Sequence, residues 1–281
     1  MKRGLVLEGG AMRGLFTAGV LDVLMAAGIV FDGAVGVSAG AAFGCNYKSG
    51  QAGRVLRYNT RFCKDRRYCS LTSLLTTGDL YGADFCYRRL PMELDPFDWE
   101  AYEKNAMEFY AVCTDLESGE PVLFSCTGKR ERVMDIFRAS ASMPLVSRTV
   151  WLDGKPYLDG GIALSIPLAL WEKRGYEKNL VVLTQPRDYV KKASRAMALT
   201  SLRYRKYPAF CQVAKERFSH YNAEREYVFQ REKEGKAFVI APPAPLPVGR
   251  TEKDPEKLRL AYDWGKAEAE KNLSALKEFL L

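Results

Sequence analysis

The stretch Gly36-Val37-Ser38-Ala39-Gly40 sets a serine between two glycines, each two positions away. That is the spacing of a nucleophile elbow, a sharp strand-to-helix turn that lifts a serine oxygen clear of the backbone. Gly36 and Gly40 permit the turn, and a helix after it adds its positive N-terminal dipole. A serine hydroxyl needs a base, and the usual one is a histidine. His220 is the only histidine in the chain. Asp159 opens Asp159-Gly160-Gly161, which in isolation reads as an ordinary turn. A third segment, Glu8-Gly9-Gly10-Ala11-Met12-Arg13-Gly14, has the glycines and free amides of an anion-holding loop. It could hold a dinucleotide phosphate with Asp32 on the ribose, but alanine occupies the third position of that fingerprint's G-x-G.

These residues need elements to position them. Residues 3–7 form a short apolar run, followed by the glycine loop. Helical spacing begins at Leu15 and stops at Gly28, a C-cap glycine. A strand over 33–37 runs into Ser38, and the small residues after it suit a helix packed closely on a sheet. Strand–turn–helix repeated in this way predicts a parallel sheet with helices on its faces. Residues 50–105 read as helix and loop, rich in basic and aromatic side chains. Residues 107–125 read as two strands joined at Glu117–Glu120, and 131–142 as a helix stopped by Pro144. Asp153-Gly154 is a type I′ hairpin signal. Further buried strands are expected at 179–184 and 236–241. Helices are expected over 209–235 and 254–281, with a proline-rich connector between the second strand and the last helix.

The 281 residues suffice for a large core, and 47% hydrophobic with 27% charged residues is ordinary globular composition. No run is apolar and long enough to cross a bilayer, and the apolar start ends at Glu8, too soon for a signal peptide. The seven cysteines are odd in number and contain no CxxC pair, so reduced thiols in a cytoplasmic protein are expected. One histidine and no cysteine cluster make a zinc site improbable. The net charge of +8 suits anionic ligands or a membrane surface, although 34 acidic residues interleaved with 42 basic ones equally suit solvated helix faces.

In order, "EGGAMRG", "GVSAG" and "LDGG", with "AVCTDLESGEPVLF" and "RASASMP" between them, resemble the patatin-like phospholipase family of lipid acyl hydrolases. The chain departs from the family pattern at Glu8, usually aspartate, and at Ala11, usually a third glycine. The resemblance implies a three-layer α/β/α sandwich with a mainly parallel central sheet over residues 4–185. The expected remainder, residues 186–281, is a mainly helical C-terminal extension packed on that domain. It implies Ser38 as nucleophile, Asp159 as base, and the amides of Gly9, Gly10 and Ala11 as an oxyanion hole. Arg13, Gly14, Gly36, Gly40, Gly160 and Gly161 would support these motifs. No cofactor or metal is expected. The substrate would be a lipid or other acyl ester, with peripheral contact at an anionic inner membrane face and no nucleic-acid partner.

Competing readings are an acyltransferase, an α/β-hydrolase with the order Ser38…Asp159…His220, and a non-catalytic lipid-binding protein. His220 sits in a charged helical stretch, "KERFSHYNAERE", whereas such histidines usually lie on loops.

Overall fold

A computed structural model describes residues 1–194 and 196–281. Its strands are β1 Lys2–Leu7, β2 Gly33–Val37, β3 Glu108–Asp115, β4 Pro121–Ser125, β5 Val150–Leu152, β6 Lys155–Asp159, β7 Tyr176–Val182 and β8 Ala237–Ile240. Its α-helices are α1 Gly14–Ala26, α2 Ala39–Lys48, α3 Arg54–Phe62, α4 Leu71–Thr77, α5 Trp99–Lys104, α6 Arg130–Ser140, α7 Leu168–Glu172, α8 Met197–Arg203, α9 Pro208–Lys233 and α10 Pro255–Leu280. The strands form one sheet in the order β5-β6-β3-β2-β1-β7-β8, with β4 also on β3. The run β3-β2-β1-β7-β8 is parallel, and β4, β5 and β6 are antiparallel.

Alternation along the strands builds two cores. Leu5, Leu7, Ala34, Phe109 and Leu180 face the layer containing α1, α2, α3, α6 and α10. Val6, Val35, Val112, Val181 and Val239 face α7 and α9. The architecture is therefore the expected α/β/α sandwich. The residues after 185 enter all three layers: β8 extends the sheet beside β7, α9 covers one face and α10 the other. α1 and α10 touch backbone to backbone. A Cβ on Gly19 would lie 2.1 Å from the carbonyl oxygen of Tyr262, and one on Gly265 1.9 Å from that of Phe16.

β3 explains how the sequence motifs meet. Its residues Tyr110–Thr114 pair with β4 on one edge. On the other edge, Glu108–Val112 pair with β2 and Cys113–Asp115 pair with β6. β2 runs parallel to β3 and ends with Val37 opposite Val112. β6 runs antiparallel and ends with Asp159 opposite Cys113. The two strands thus meet head to head, and their C-terminal ends arrive at adjacent positions of one edge. Sequence reading could supply the strands but not this third pairing of β3.

Candidate active site

Ser38 follows β2 at φ 55° and ψ −120°, a conformation that costs a non-glycine residue about 1–3 kcal/mol. Its surroundings hold it there. Its amide donates to Ser140 Oγ at 2.9 Å, and its carbonyl accepts from the amides of Ala41 and Ala42 as α2 begins. Gly36 and Gly40 let α2 sit on the strands. A Cβ on Gly36 would lie 2.5 Å from the Gly40 oxygen, and one on Gly40 2.3 Å from the Leu7 oxygen.

Asp159 closes β6 and is 1% exposed. Its Oδ1 accepts from the amide of Gly161 at 2.8 Å, while Oδ2 is buried and makes no hydrogen bond of full geometry. Burial pushes its pKa above the ordinary 3.8. The Ser38 hydroxyl, close enough to act on it, opposes that rise, as do the Arg217 charge, the Gly161 amide and the Arg250 charge. Thr114 Oγ1 donates to the Asp159 carbonyl oxygen at 2.8 Å and fixes the turn.

The glycine loop lies at the C-terminal end of β1, beside the elbow. Ala11 adopts φ 50°, so the position where the family pattern has glycine takes a positive φ with alanine in place. Gly9, Gly10 and Ala11 offer amides with no hydrogen-bond partner among the described residues. Glu8 is buried. Its Oε1 accepts from Tyr221 of α9 at 2.6 Å and its Oε2 from the amide of Thr184. The extra methylene relative to aspartate carries the carboxylate to both partners.

Glu8, Gly9, Gly10, Ala11, Arg13, Ser38, Asp159 and Gly161 all line one small cavity of about 70 Å3, most of whose lining residues have polar or charged side chains. A larger, mainly apolar cavity of about 520 Å3 adjoins it, walled by side chains such as Phe43, Tyr58, Leu90, Met134 and Phe137. The two share Ser38. Part of the larger wall is a wide π-type helix at Phe85–Leu94 that includes Pro91, a feature no periodicity signalled. Gly14 packs against Phe43 and Gly160 against the backbone of Val112, outside the cavities.

His220 lines neither cavity. It is half exposed on α9 with Nε2 3.6 Å from Glu216 Oε2. Asp32 precedes β2 at the end of the sheet opposite the glycine loop, where it accepts from the Arg3 amide, so it does not serve a ribose there. No group of metal-binding side chains occurs among the described residues. Sequence reading missed Ser140, Tyr221, Lys191, Arg217 and Arg250. Ser140 sits within RASASMP without standing out there; the other four lie outside the motifs, Tyr221 and Arg217 on α9, Lys191 before α8 and Arg250 before α10.

A model for a domain of unknown function, DUF6363, matches residues 207–281. An uncharacterized protein of Escherichia coli (strain K12), YjjU, is 29% identical over 262 residues, covering 86% of this chain and 69% of its own length. The crystal structure of VipD from Legionella pneumophila aligns over 96% of this chain and 67% of its own with a TM-score of 0.46 and 12% identity. The model for patatin-like phospholipases matches residues 5–170, the span that carries the loop, the elbow and the aspartate. The chain belongs to the patatin-like phospholipase family.

Proposed function

We propose that this protein is a serine lipid acyl hydrolase that works through a Ser38–Asp159 dyad and an acyl-serine intermediate. Family membership supplies the general chemistry, hydrolysis of lipid esters. The observation that carries the finer reading is the asymmetry of Asp159: Oδ1 is tied to Gly161 and Oδ2 is buried without a full hydrogen bond. One oxygen is anchored and the other is free to take a proton. Ser38 Oγ attacks the ester carbonyl as its proton passes to Asp159. The amides of Gly9, Gly10 and Ala11 receive the oxyanion, where one donor is typically worth ~2.7–4 kcal/mol. The alcohol departs with the proton from Asp159. Water, deprotonated by the same carboxylate, then releases the fatty acid and restores Ser38.

The acyl chain takes the 520 Å3 cavity, a volume ordinary for a small-molecule site. In this reading residues 4–185 carry the reacting groups and 186–281 complete the walls. Leu71 and Leu75 of α4 and Leu199 and Leu202 of α8 are exposed, and Thr200 of α8 lines the apolar cavity. With the +8 charge, they suit contact with an anionic membrane surface. No described helix is long and apolar enough to cross a bilayer.

The test is a fluorophosphonate probe with a panel of lipid esters. Labelling at Ser38, lost in Ser38→Ala along with ester turnover, is expected. A folded wild-type protein that neither labels nor turns over any ester would favour a lipid-binding role.

A further inference from the structure

We infer that the large apolar cavity takes acyl chains that carry a hydroxyl group near their far end, recognised by Tyr58 beside the buried guanidinium of Arg54. The inference rests on the hydrolase reading above, since Ser38 fixes where the ester begins. Ala39, Ala42, Phe43 and Cys45 line the cavity in turn, so it follows one face of α2 away from Ser38. Tyr58 of α3 meets Phe43 with ring centres 6.3 Å apart, and Arg54, one turn earlier, donates from Nη1 to Asn46 Oδ1 at 2.9 Å. Phe43 and Asn46 stand five and eight residues after Ser38, which places this end of the cavity ~8–12 Å along the axis of α2.

A plain hydrocarbon chain leaves the polar groups at this end without a partner. Tyr58 is 6% exposed and lines the cavity, and its hydroxyl makes no hydrogen bond among the described residues. Burial pushes that hydroxyl well above the ordinary 10 against the opposing Arg54 charge, so it keeps its proton and can donate. Arg54 is 4% exposed and lines the cavity too. Its Nε and Nη2 donate to the Asp95 carbonyl oxygen and its Nη1 to Asn46, which leaves two of the five N–H groups of a guanidinium unpaired among the described residues. Its Cζ lies 5.3 Å from the centre of the Tyr58 ring and 5.4 Å from that of Phe97. The Asp95 carboxylate is shared: Arg57 takes both its oxygens at 2.8 Å, and Arg54 Nε approaches Oδ1 at 3.2 Å. Two cations on one carboxylate leave positive charge beside Tyr58, which favours an oxygen lone pair there over a methyl group.

Chain length can be read from the same geometry. A fully extended chain advances ~1.2 Å per bond, because three backbone bonds span roughly 3.3–3.6 Å. The ~8–12 Å from Ser38 to Tyr58 and Arg54 is therefore about seven to ten bonds. A wholly apolar cavity rejects a hydroxylated chain, since burying an unpaired hydroxyl is costly. Tyr58 removes that penalty, because a phenol can both donate to an alcohol and accept from it. The substrate class that fits is an ester of a medium-chain ω-hydroxy acid of about eight to ten carbons.

Tyr58→Phe is the clean variant. It removes a hydroxyl that bonds no described protein group and keeps the ring between Phe43 and Arg54. The experiment uses the full chain and esters of octanoic, decanoic, ω-hydroxyoctanoic, ω-hydroxydecanoic and β-hydroxydecanoic acids with one alcohol, dissolved below aggregation. The β-hydroxy ester carries the same group but sets it beside Ser38. Each kcat/KM is divided by that of the unsubstituted ester of equal length. The ratio for the better ω-hydroxy ester should be one or more in wild type and fall about three- to tenfold in Tyr58→Phe. The β-hydroxy ratio should be the same in both proteins. An ω-hydroxy ratio well below one in wild type, or one that Tyr58→Phe leaves unmoved, overturns the inference and leaves the hydrolase reading intact. A parallel fall in the β-hydroxy ratio also overturns it, as a general loss of tolerance for polar chains. A wild type that turns over none of the esters and takes no fluorophosphonate label ends the hydrolase reading, and melting temperatures then decide for the cavity. ω-Hydroxydecanoic acid should raise the melting temperature more than decanoic acid does in wild type but not in Tyr58→Phe, and equal rises in wild type overturn the inference.

Discussion

The amide of Ser38 donates to Ser140 Oγ at 2.9 Å, and that hydroxyl donates onward to the Val112 carbonyl oxygen at 2.6 Å. Ser140 is fully buried at the end of α6. It ties the strained residue at the end of β2 to the point of β3 where β2 and β6 meet.

Ser140 is therefore a positioning residue. Ser140→Ala leaves the Ser38 amide without its acceptor, a loss of about 1–3 kcal/mol. We expect kcat to fall roughly ten- to a hundredfold with KM little changed, because a displacement of about 1 Å in a nucleophile has effects of that size. Fluorophosphonate labelling should slow in parallel. Ser140→Cys, a weaker donor and acceptor, should fall between. A purely structural role would lower the melting temperature and leave the labelling rate per folded molecule unchanged.

Asp159→Asn should lower kcat/KM by orders of magnitude, and Ser38→Ala with Asp159→Asn should be no worse than either alone, since the pair acts as one unit. His220→Ala should leave kcat/KM nearly unchanged. Wild-type activity should fall on acidification at a pH above 3.8, since burial raises Asp159 and only its ionised form can take a proton. Stability follows the same shift in the other direction. A raised carboxyl pKa contributes stability that is present below 3.8 and is lost as pH rises through the folded value. Asp159→Asn should therefore melt higher than wild type at pH 7 while being inactive. A folded but inactive His220→Ala protein would replace the dyad with a histidine triad.

Glu224 offers a second pH test. Burial raises it from 4.5 to about 8; the Ile166 and Ser165 amides and Lys191 oppose the rise, and the Glu8 charge adds to it. Arg217 also faces it. Its contribution to stability is present below pH 4.5 and is lost as pH rises through about 8. Glu224→Gln keeps an oxygen for the two amides and removes the ionisation. Its melting temperature should exceed that of wild type at pH 9 and approach it at pH 4. Equal melting temperatures at both values would show that the carboxyl ionises normally.

Much of the frame was legible because local chemistry dictates it. The helix stop at Gly28, the Asp153-Gly154 hairpin with both residues at positive φ, and the small residues that lay α2 on the sheet all follow from glycine and turn preferences. The three motifs were visible as strings. Their meeting was not, because it depends on β3 pairing with two strands end to end along one edge. The cationic lining was also hidden. Arg217 stands in line with Phe210, Ala214, Tyr221 and Val228 on the inward side of α9, but the sequence does not say which cavity that side meets, and Lys191 and Arg250 lie on segments with no periodicity. Only the packing of α9 and α10 brings them beside Ser38.

The close crossing of α1 and α10 bears on how the chain matures. Asp22 of α1 accepts from Tyr262 of α10, 240 residues later. A ribosome that has finished residues 5–170 has made the loop, elbow and aspartate but neither β8 nor α10. Until they emerge, α1 shows water the apolar side that α10 will cover, and β7, once made, keeps an open edge until β8 pairs with it. Such a nascent chain is exposed to self-association and chaperone capture. The reacting groups are synthesised early, but the tertiary structure around them closes only once α10 has emerged.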